Sequence, residues 1–310
     1  MGLFVVKRMP KISDFKIDGK KSAKELFSQF DSAGFQASEL SNASKVLKGM
    51  VSDKECTRFL TFTSNMMASG LRGLFTEMAR RKMFDAVITA GGSIDHDLIR
   101  SYSPYELGSF QLDDVSLHKK GVNRLGNILV DNEKYILLEK KMKPILEKLY
   151  KRKKIVSARE LISEIGSTLA NNKNSFLGEC FRQKIPVFCP GIIDSAIGLQ
   201  LFFFKQDHRD FVLDATSDMG ELSTIIISAK KTGALILGGG ISKHYTIGSN
   251  LLRGGLDYSV YVTTASAYDG SLSGAVTNEA KSWGKIKEKA KTAVVYGDAT
   301  IMLPLMYSSL

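Results

Sequence analysis

The chain predicts an α/β fold: a mostly parallel sheet with helices on both faces. Three observations carry this. Short apolar runs recur and read as buried strands. Most of them end in a polar turn, a run of glycines or an acid, and a stretch with helical periodicity follows each one. A length of 310 residues permits two domains, but one α/β sheet can absorb the whole. Residues 1–310 are therefore read as a single domain, with residues 1–52 as an N-terminal helical extension packing on the core or on an oligomer interface.

Taken in order, residues 1–20 read as a short extended entry containing Pro10, followed by amphipathic helices near Ala23–Phe30 and Ala37–Met50. Arg58–Thr63 is a buried strand, Ser64-Asn65 a polar turn, and Met66–Arg81 a helix that carries Gly70 and Gly73. The next unit is a strand at Ala86–Thr89, a turn at Ala90-Gly91-Gly92-Ser93 and a helix opened by Ile94-Asp95-His96-Asp97. Glycines at such a turn let the backbone approach a ligand, and a helix start favours a negative group. Asp95 and Asp97 serve equally well as ordinary helix-start acids. Tyr102–Arg124 is irregular and expected to form loops lining a site. Helices are then predicted over Asn132–Tyr150, Ala158–Leu169 and Ser175–Gln183, a strand over Pro186–Cys189 and a helix over Asp194–Lys205. A strand at Phe211–Leu213 ends in Asp214, and an acid at the carboxyl end of a sheet strand sits where ligands bind. Asp214 and Asp218 are thus site candidates, with turn or capping roles as the alternative. Ala234–Leu237 enters Gly238-Gly239-Gly240 and a helix beginning Ile241-Ser242-Lys243-His244. That suits close contact with a dinucleotide, although tight strand-to-helix turns use glycine without any ligand. Strands at Tyr258–Thr263 and Ala293–Tyr296 and a helix at Ile301–Leu310 complete the chain.

Composition narrows the function. Hydrophobic residues make up 44% and charged residues 24%, as in an ordinary globular protein. Cys56, Cys180 and Cys189 form neither a disulfide set nor a CxxC pair, which predicts a reducing compartment and no structural zinc. The amino terminus has too short an apolar run for a signal peptide, and Val6 stands where a myristoylation signal needs Ser or Thr. No apolar run is long enough to cross a bilayer, so a cytoplasmic protein without membrane association is expected. The formal charge of +11 is partly concentrated in Lys140, Lys141, Lys148 and Lys151–Lys154. No nucleic-acid module accompanies that run, so it reads as a solvated helix face and no nucleic-acid partner is expected.

The chemistry is placed in Asp269–Lys285, DGSLSGAVTNEAKSWGK. It holds the only tryptophan, Trp283, two residues before Lys285, and Glu279 six residues before that lysine. A lysine is ordinarily protonated and not nucleophilic; burial against a ring or beside a cation frees its lone pair for imine formation. Trp283 offers a π face and Glu279 a counter-charge to a bound ammonium, so the three suggest an amine pocket. On this segment alone, a core tryptophan and two unrelated surface charges are the default. His244 is a possible proton shuttle, though a single histidine is more often a satisfied polar residue.

Several blocks together resemble the deoxyhypusine synthase family. They are SWGK at Ser282–Lys285, GGG with KH at Gly238–His244, DGS with SGA at Asp269–Ala275, NRLGN at Asn123–Asn127 and VYGDA at Val295–Ala299. The resemblance runs from about Thr57 to Leu305. It implies a Rossmann-like, sirtuin-like NAD-binding fold, a homotetramer with sites between paired subunits, and NAD-dependent aminobutyl transfer. In such enzymes spermidine is oxidised to an imine, 1,3-diaminopropane leaves, and the chain passes to a lysine matching Lys285. From there it goes to a lysine of translation initiation factor 5A, giving deoxyhypusine. Carried over by position, the NAD contacts fall on Ser64, Asn65, Thr89, Ala90, Gly91, Asp194, Gly239, Thr264, Ala265, Asp298 and Ala299. The amine pocket falls on Asp95, His96, His244, Gly270, Ser271, Ser273, Glu279, Trp283 and Lys285, with His244 as proton carrier. Leu199 and Leu272 stand where the eukaryotic pattern has acids, His96 replaces a glutamate and Ala68 a serine. Those departures keep open a relative that hands the group to a small diamine such as putrescine, as homospermidine synthase does.

Overall fold

The computed structural model describes residues 11–310. The expectations for the extended entry at Pro10 and for Val6 lie outside the described residues. Six strands form one all-parallel sheet: β1 Cys56–Phe62, β2 Ala86–Thr89, β3 Val187–Phe188, β4 Lys231–Leu237, β5 Leu256–Thr263 and β6 Ile286–Tyr296, in spatial order β6-β5-β4-β1-β2-β3. This is the doubly wound order, in which the chain leaves the sheet centre in one direction after β1 and in the other after β4. The carboxyl ends of β1 and β4, paired from Cys56↔Lys231 to Phe62↔Leu237, therefore flank the switch point.

Side chains alternate between two cores, as a strand covered on both faces requires. In β4, Leu235 and Leu237 join one cluster while Ala234 and Ile236 join the other. The first core packs helices Phe35–Ser52, Leu71–Arg80 and Ala299–Tyr307, through Leu47, Met50, Phe75 and Leu303. The second packs Asp218–Ser228, Gly240–Ser249 and Thr277–Ser282 through Leu222, Ile226, Ile247 and Ala280. Phe62 at the end of β1 stacks on Phe75 with ring centroids 4.4 Å apart.

A buried ionic hub fixes the helix after β2. Asp97, fully buried, accepts from Arg72 Nε (2.6 Å), Ser175 Oγ (2.8 Å), Phe176 N (3.1 Å) and Leu177 N (2.8 Å). It thus caps helix Phe176–Gln183 from a distant part of the chain. Four donors to one carboxylate are what a buried charge needs.

Several sequence expectations are corrected. The predicted helix Met66–Arg81 is two helices, Ser64–Ala68 and Leu71–Arg80, because Ser69 is extended and turns its hydroxyl back on the Met66 carbonyl at 2.7 Å. The helix after β2 starts at Gly91, with no intervening turn. The expected loops of Tyr102–Arg124 include Glu106–Leu107 and Val122–Leu125, which flank Ile128–Asp131 in a three-stranded antiparallel sheet. The strand ending in Asp214 is outside the main sheet: Val212–Asp214 pairs with Ile155–Ser157. Asp214 accepts from Thr216 N, Thr216 Oγ1 and Ser217 N, and Asp218 from Arg159 N, so both take the turn and capping roles. The basic run is a largely exposed helix face, as expected, with Lys148 and Arg152 sharing Glu164, Lys153 pairing with Glu160 and Lys154 with Asp210.

Candidate active site

The residues expected to meet a dinucleotide follow the carboxyl ends of parallel strands. Ser64 and Asn65 follow β1, Ala90 and Gly91 follow Thr89 of β2, Gly239 follows β4, Thr264 and Ala265 follow β5, and Asp298 and Ala299 follow β6. Asp194 stands in the loop after β3. Local chemistry ties these loops together. A Cβ on Gly91 would lie 3.2 Å from the Asp194 carbonyl, and one on Gly92 2.9 Å from Ser64 Cβ. Thr89 Oγ1 donates to the Phe62 carbonyl at 2.9 Å, locking β2 to β1. Asp298 caps helix Ala299–Tyr307 by accepting from Thr300 N at 2.8 Å. Gly240 opens helix Gly240–Ser249 at φ +62, and a Cβ there would meet nothing within 4 Å. Open backbone at a helix start beside the switch point fits a phosphate-bearing cofactor.

Lys285 is positioned by the way its helix ends. Gly284, at φ +69, is left-handed; its N–H donates to the Lys281 carbonyl (2.9 Å) while Lys285 N–H donates to the Ala280 carbonyl (2.9 Å). These two bonds are the Schellman termination of helix Thr277–Ser282, for which glycine is the natural residue. The Lys285 carbonyl then accepts from Leu256 N at 3.1 Å, so the lysine passes straight from helix stop to strand β6. The W-G-K order is thus a backbone device that presents Lys285 beside the end of its own helix.

A cavity of about 30 Å³ lies beside the side chain, lined by Lys285, Trp283, Glu279, Lys243, Tyr261 and Leu272 among others. It has room for a water or two, not for a polyamine. Lys285 Nζ sits 5.3 Å from the centre of the Trp283 ring, which is 68% exposed and faces the open side. Lysine, tryptophan and glutamate are therefore brought together as their spacing suggested, although the tryptophan is a rim residue and not a core one.

Other expected residues stand apart from this cavity. His244 is exposed, because positions 243 and 247 share the inward face of the helix and 244 is turned off it. Asp95 is buried and accepts from Ala196 N (2.8 Å) and Ile197 N (3.0 Å), capping helix Ala196–Asp207; burial raises its pKa to about 6 against those hydrogen bonds. His96 pairs with Tyr105 Oη at 2.9 Å, and burial lowers its pKa to about 4, so it is neutral at physiological pH. Gly270 and Ser271 lie on an exposed loop, whereas Ser273 Oγ accepts from Gly240 N at 3.1 Å and joins that loop to the glycine turn.

Sequence reasoning missed Lys243 and Tyr261. Lys243 is 1% exposed; its ammonium donates to the Ala275 carbonyl at 2.7 Å and lies 4.3 Å over the Tyr261 ring, and burial lowers its pKa to about 8. The signal was present as a buried helical stripe at Lys243, Thr246, Ile247 and Asn250. Among the described residues no group of His, Cys, Asp and Glu is placed to hold a metal, and no helix is long and apolar enough to cross a membrane.

A doubly wound parallel sheet, with loops gathered at its carboxyl edge and a lysine-lined cavity beneath the helix that leads into β6, is a Rossmann-like α/β architecture. The deoxyhypusine synthase family model matches residues 25–310, and the chain belongs to that family. It is similar to proteins named probable deoxyhypusine synthase from Picrophilus torridus (44% identity) and Thermoplasma acidophilum (45%), each over 297 residues and 95% of both chains. Among solved structures it is similar to a candidate deoxyhypusine synthase of Entamoeba histolytica, with a TM-score of 0.69 and 22% identity over 96% of both chains. At that identity the last likeness speaks for the fold.

Proposed function

We propose that this enzyme transfers the 4-aminobutyl group of spermidine, in an NAD-dependent reaction, through an imine on Lys285 to a lysine of translation initiation factor 5A, forming deoxyhypusine. The observation that carries the reading is the grouping of Lys285, Trp283 and Glu279 around one cavity, in a chain of this family. NAD fits the open backbone at Gly240 and the loops bearing Ser64, Asn65, Thr89, Ala90, Gly91, Asp194, Gly239, Thr264, Ala265, Asp298 and Ala299. Bound there, it would supply the acceptor, and later the donor, of hydride.

The chain's own residues do the rest. The donor reaches the half-buried Lys285 from the open side past Trp283, whose π face suits an ammonium. Lys285 Nζ attacks the imine carbon of the oxidised chain, 1,3-diaminopropane leaves with its nitrogen, and the acceptor lysine displaces Lys285 in the same manner. Glu279, on the same wall, balances ammonium charge. His244 is read as proton carrier, and Asp95, His96, Gly270, Ser271 and Ser273 as donor contacts. We read the chain as one domain and the assembly as a cytoplasmic homotetramer, as the family resemblance implies.

Borohydride trapping after incubation with NAD and spermidine, followed by peptide mapping, tests the reaction. A mass increment on the Lys285 peptide, absent in Lys285→Ala, is expected; an increment elsewhere overturns the assignment. A second acceptor, a small diamine such as putrescine, stays in play because Leu199 and Leu272 stand where the eukaryotic pattern has acids. Supplying the factor or putrescine to the trapped-competent enzyme separates the two.

A further inference from the structure

We propose that Lys243 is a positioning residue for the Lys285 site: its buried ammonium ties the segment 266–275 to the glycine turn after β4 and so fixes the wall that Trp283 and Lys285 share. This rests on the reading of Lys285 as nucleophile only for its consequence in turnover.

Lys243 Nζ donates to the carbonyls of Ala275 (2.7 Å) and Ser273 (3.4 Å) and lies over the face of Tyr261. All three partners are neutral. Among the described residues no carboxylate stands at ion-pair distance; the charged groups around the same cavity are Glu279 on helix Thr277–Ser282 and Lys285 ahead of β6. Taking an ammonium out of water without an anion is costly, which is why its pKa falls. A methionine would fill similar volume at no such cost, so packing alone does not account for a lysine here.

The tethered segment has little slack. A Cβ on Gly274 would fall 1.5 Å from the Ser266 carbonyl, and one on Gly239 2.3 Å from Ser273 Oγ. The Ser273 carbonyl also accepts from Thr263 Oγ1 at 3.2 Å, and Gly240 N donates to Ser273 Oγ. Ala275 and Val276 then continue directly as cavity wall beside Glu279 and Trp283. Lys243 holds the free end of this clamp: releasing the Ala275 carbonyl lets the wall move away from Lys285 while leaving the sheet and its helices intact.

The test uses Lys243→Met and Lys243→Gln in the full chain. Trp283 is the only tryptophan, so its emission reports this site alone. The emission maximum of Trp283 and modification of Lys285 by trinitrobenzenesulfonate, mapped by peptide, need no substrate, so they decide the point even if the proposed reaction fails. The labelling rate is expected to rise several-fold in Lys243→Met at unchanged far-ultraviolet circular dichroism, with a shifted Trp283 emission maximum and a higher donor KM in turnover. Lys243→Gln, which keeps a shorter N–H donor, should fall between the variant and the parent. Should Lys243→Met not fold, Lys243→Gln decides by the same criterion. A parental Trp283 emission maximum and parental labelling of Lys285 in the folded variants would overturn the proposal, whatever happened to turnover.

Discussion

Replacing Asp95 by asparagine separates two roles open to that carboxylate, a grip on the amine donor or a cap on helix Ala196–Asp207. The side chain is 5% exposed and both oxygens accept backbone N–H groups. Burial raises its pKa from 3.8 to about 6. The folded state therefore holds the proton more tightly than the unfolded chain, so stability is greatest below the unfolded value and falls as pH rises through about 6. A shift of about 2 units corresponds to roughly 3 kcal/mol lost at neutral pH, set against the ~1 kcal/mol a cap contributes. Asparagine does not titrate, and other carboxylates cancel between parent and variant when they are independent. The stability of the parent relative to Asp95→Asn is expected to fall by about 2 kcal/mol between about pH 4 and about pH 7. Urea unfolding followed by circular dichroism at steps of pH measures it. A difference that stayed constant over that range would refute the buried, titrating cap. If the variant also lost donor binding, Asp95 would return to the amine pocket.

Three further outcomes follow from the same geometry. Asp97→Ala should cost about 3–5 kcal/mol in urea unfolding, because it strands Arg72 in the interior, and a second change of Arg72→Met should restore part of it. Gly239→Ala should abolish NAD binding measured by calorimetry while the far-ultraviolet spectrum is retained, since its Cβ would collide with Ser273 and shift the glycine turn. Trp283→Ala, at an exposed rim position, should change stability by less than about 0.5 kcal/mol yet raise the donor KM; equal kinetics in parent and variant would remove the ring from the site.

Much of the architecture was readable from the chain because its signals are local. Ala86–Thr89 is wholly apolar in all but its last residue and forms β2 with the predicted bounds. Ala234–Leu237 before three glycines is the carboxyl half of β4. Pairing is non-local and was not readable. Val212–Asp214 has the same short apolar pattern as a central strand, yet it joins Ile155–Ser157, a strand hidden behind the lysines of 151–154. The site shows the same division. Trp283 and Lys285 stand out as rare residues at close spacing, whereas Lys243 carries the default expectation of a surface lysine. Only its place on a buried helical stripe betrays it, beside the exposed His244.

The charges on the cavity bear on how a donor is recognised. Lys285 and Lys243 face one carboxylate, Glu279, while the other named lining groups are aromatic or aliphatic. A wall of that sign does not attract a polycation; it suits an uncharged carbon chain whose ammonium groups lie elsewhere. Recognition and bond-making are then separate tasks. Asp269, exposed on the loop after β5, has the sign to meet a cationic end of the donor. The lysine-lined cavity receives the reacting carbon only. On this view a change of donor preference would come from the edge loops, and a change at Lys285, Lys243 or Trp283 would alter the transfer itself. Neutralising Asp269 should therefore shift the donor KM without moving the rate at which Lys285 reacts with a small aldehyde, and the reverse pattern would show that the cavity does its own recognition.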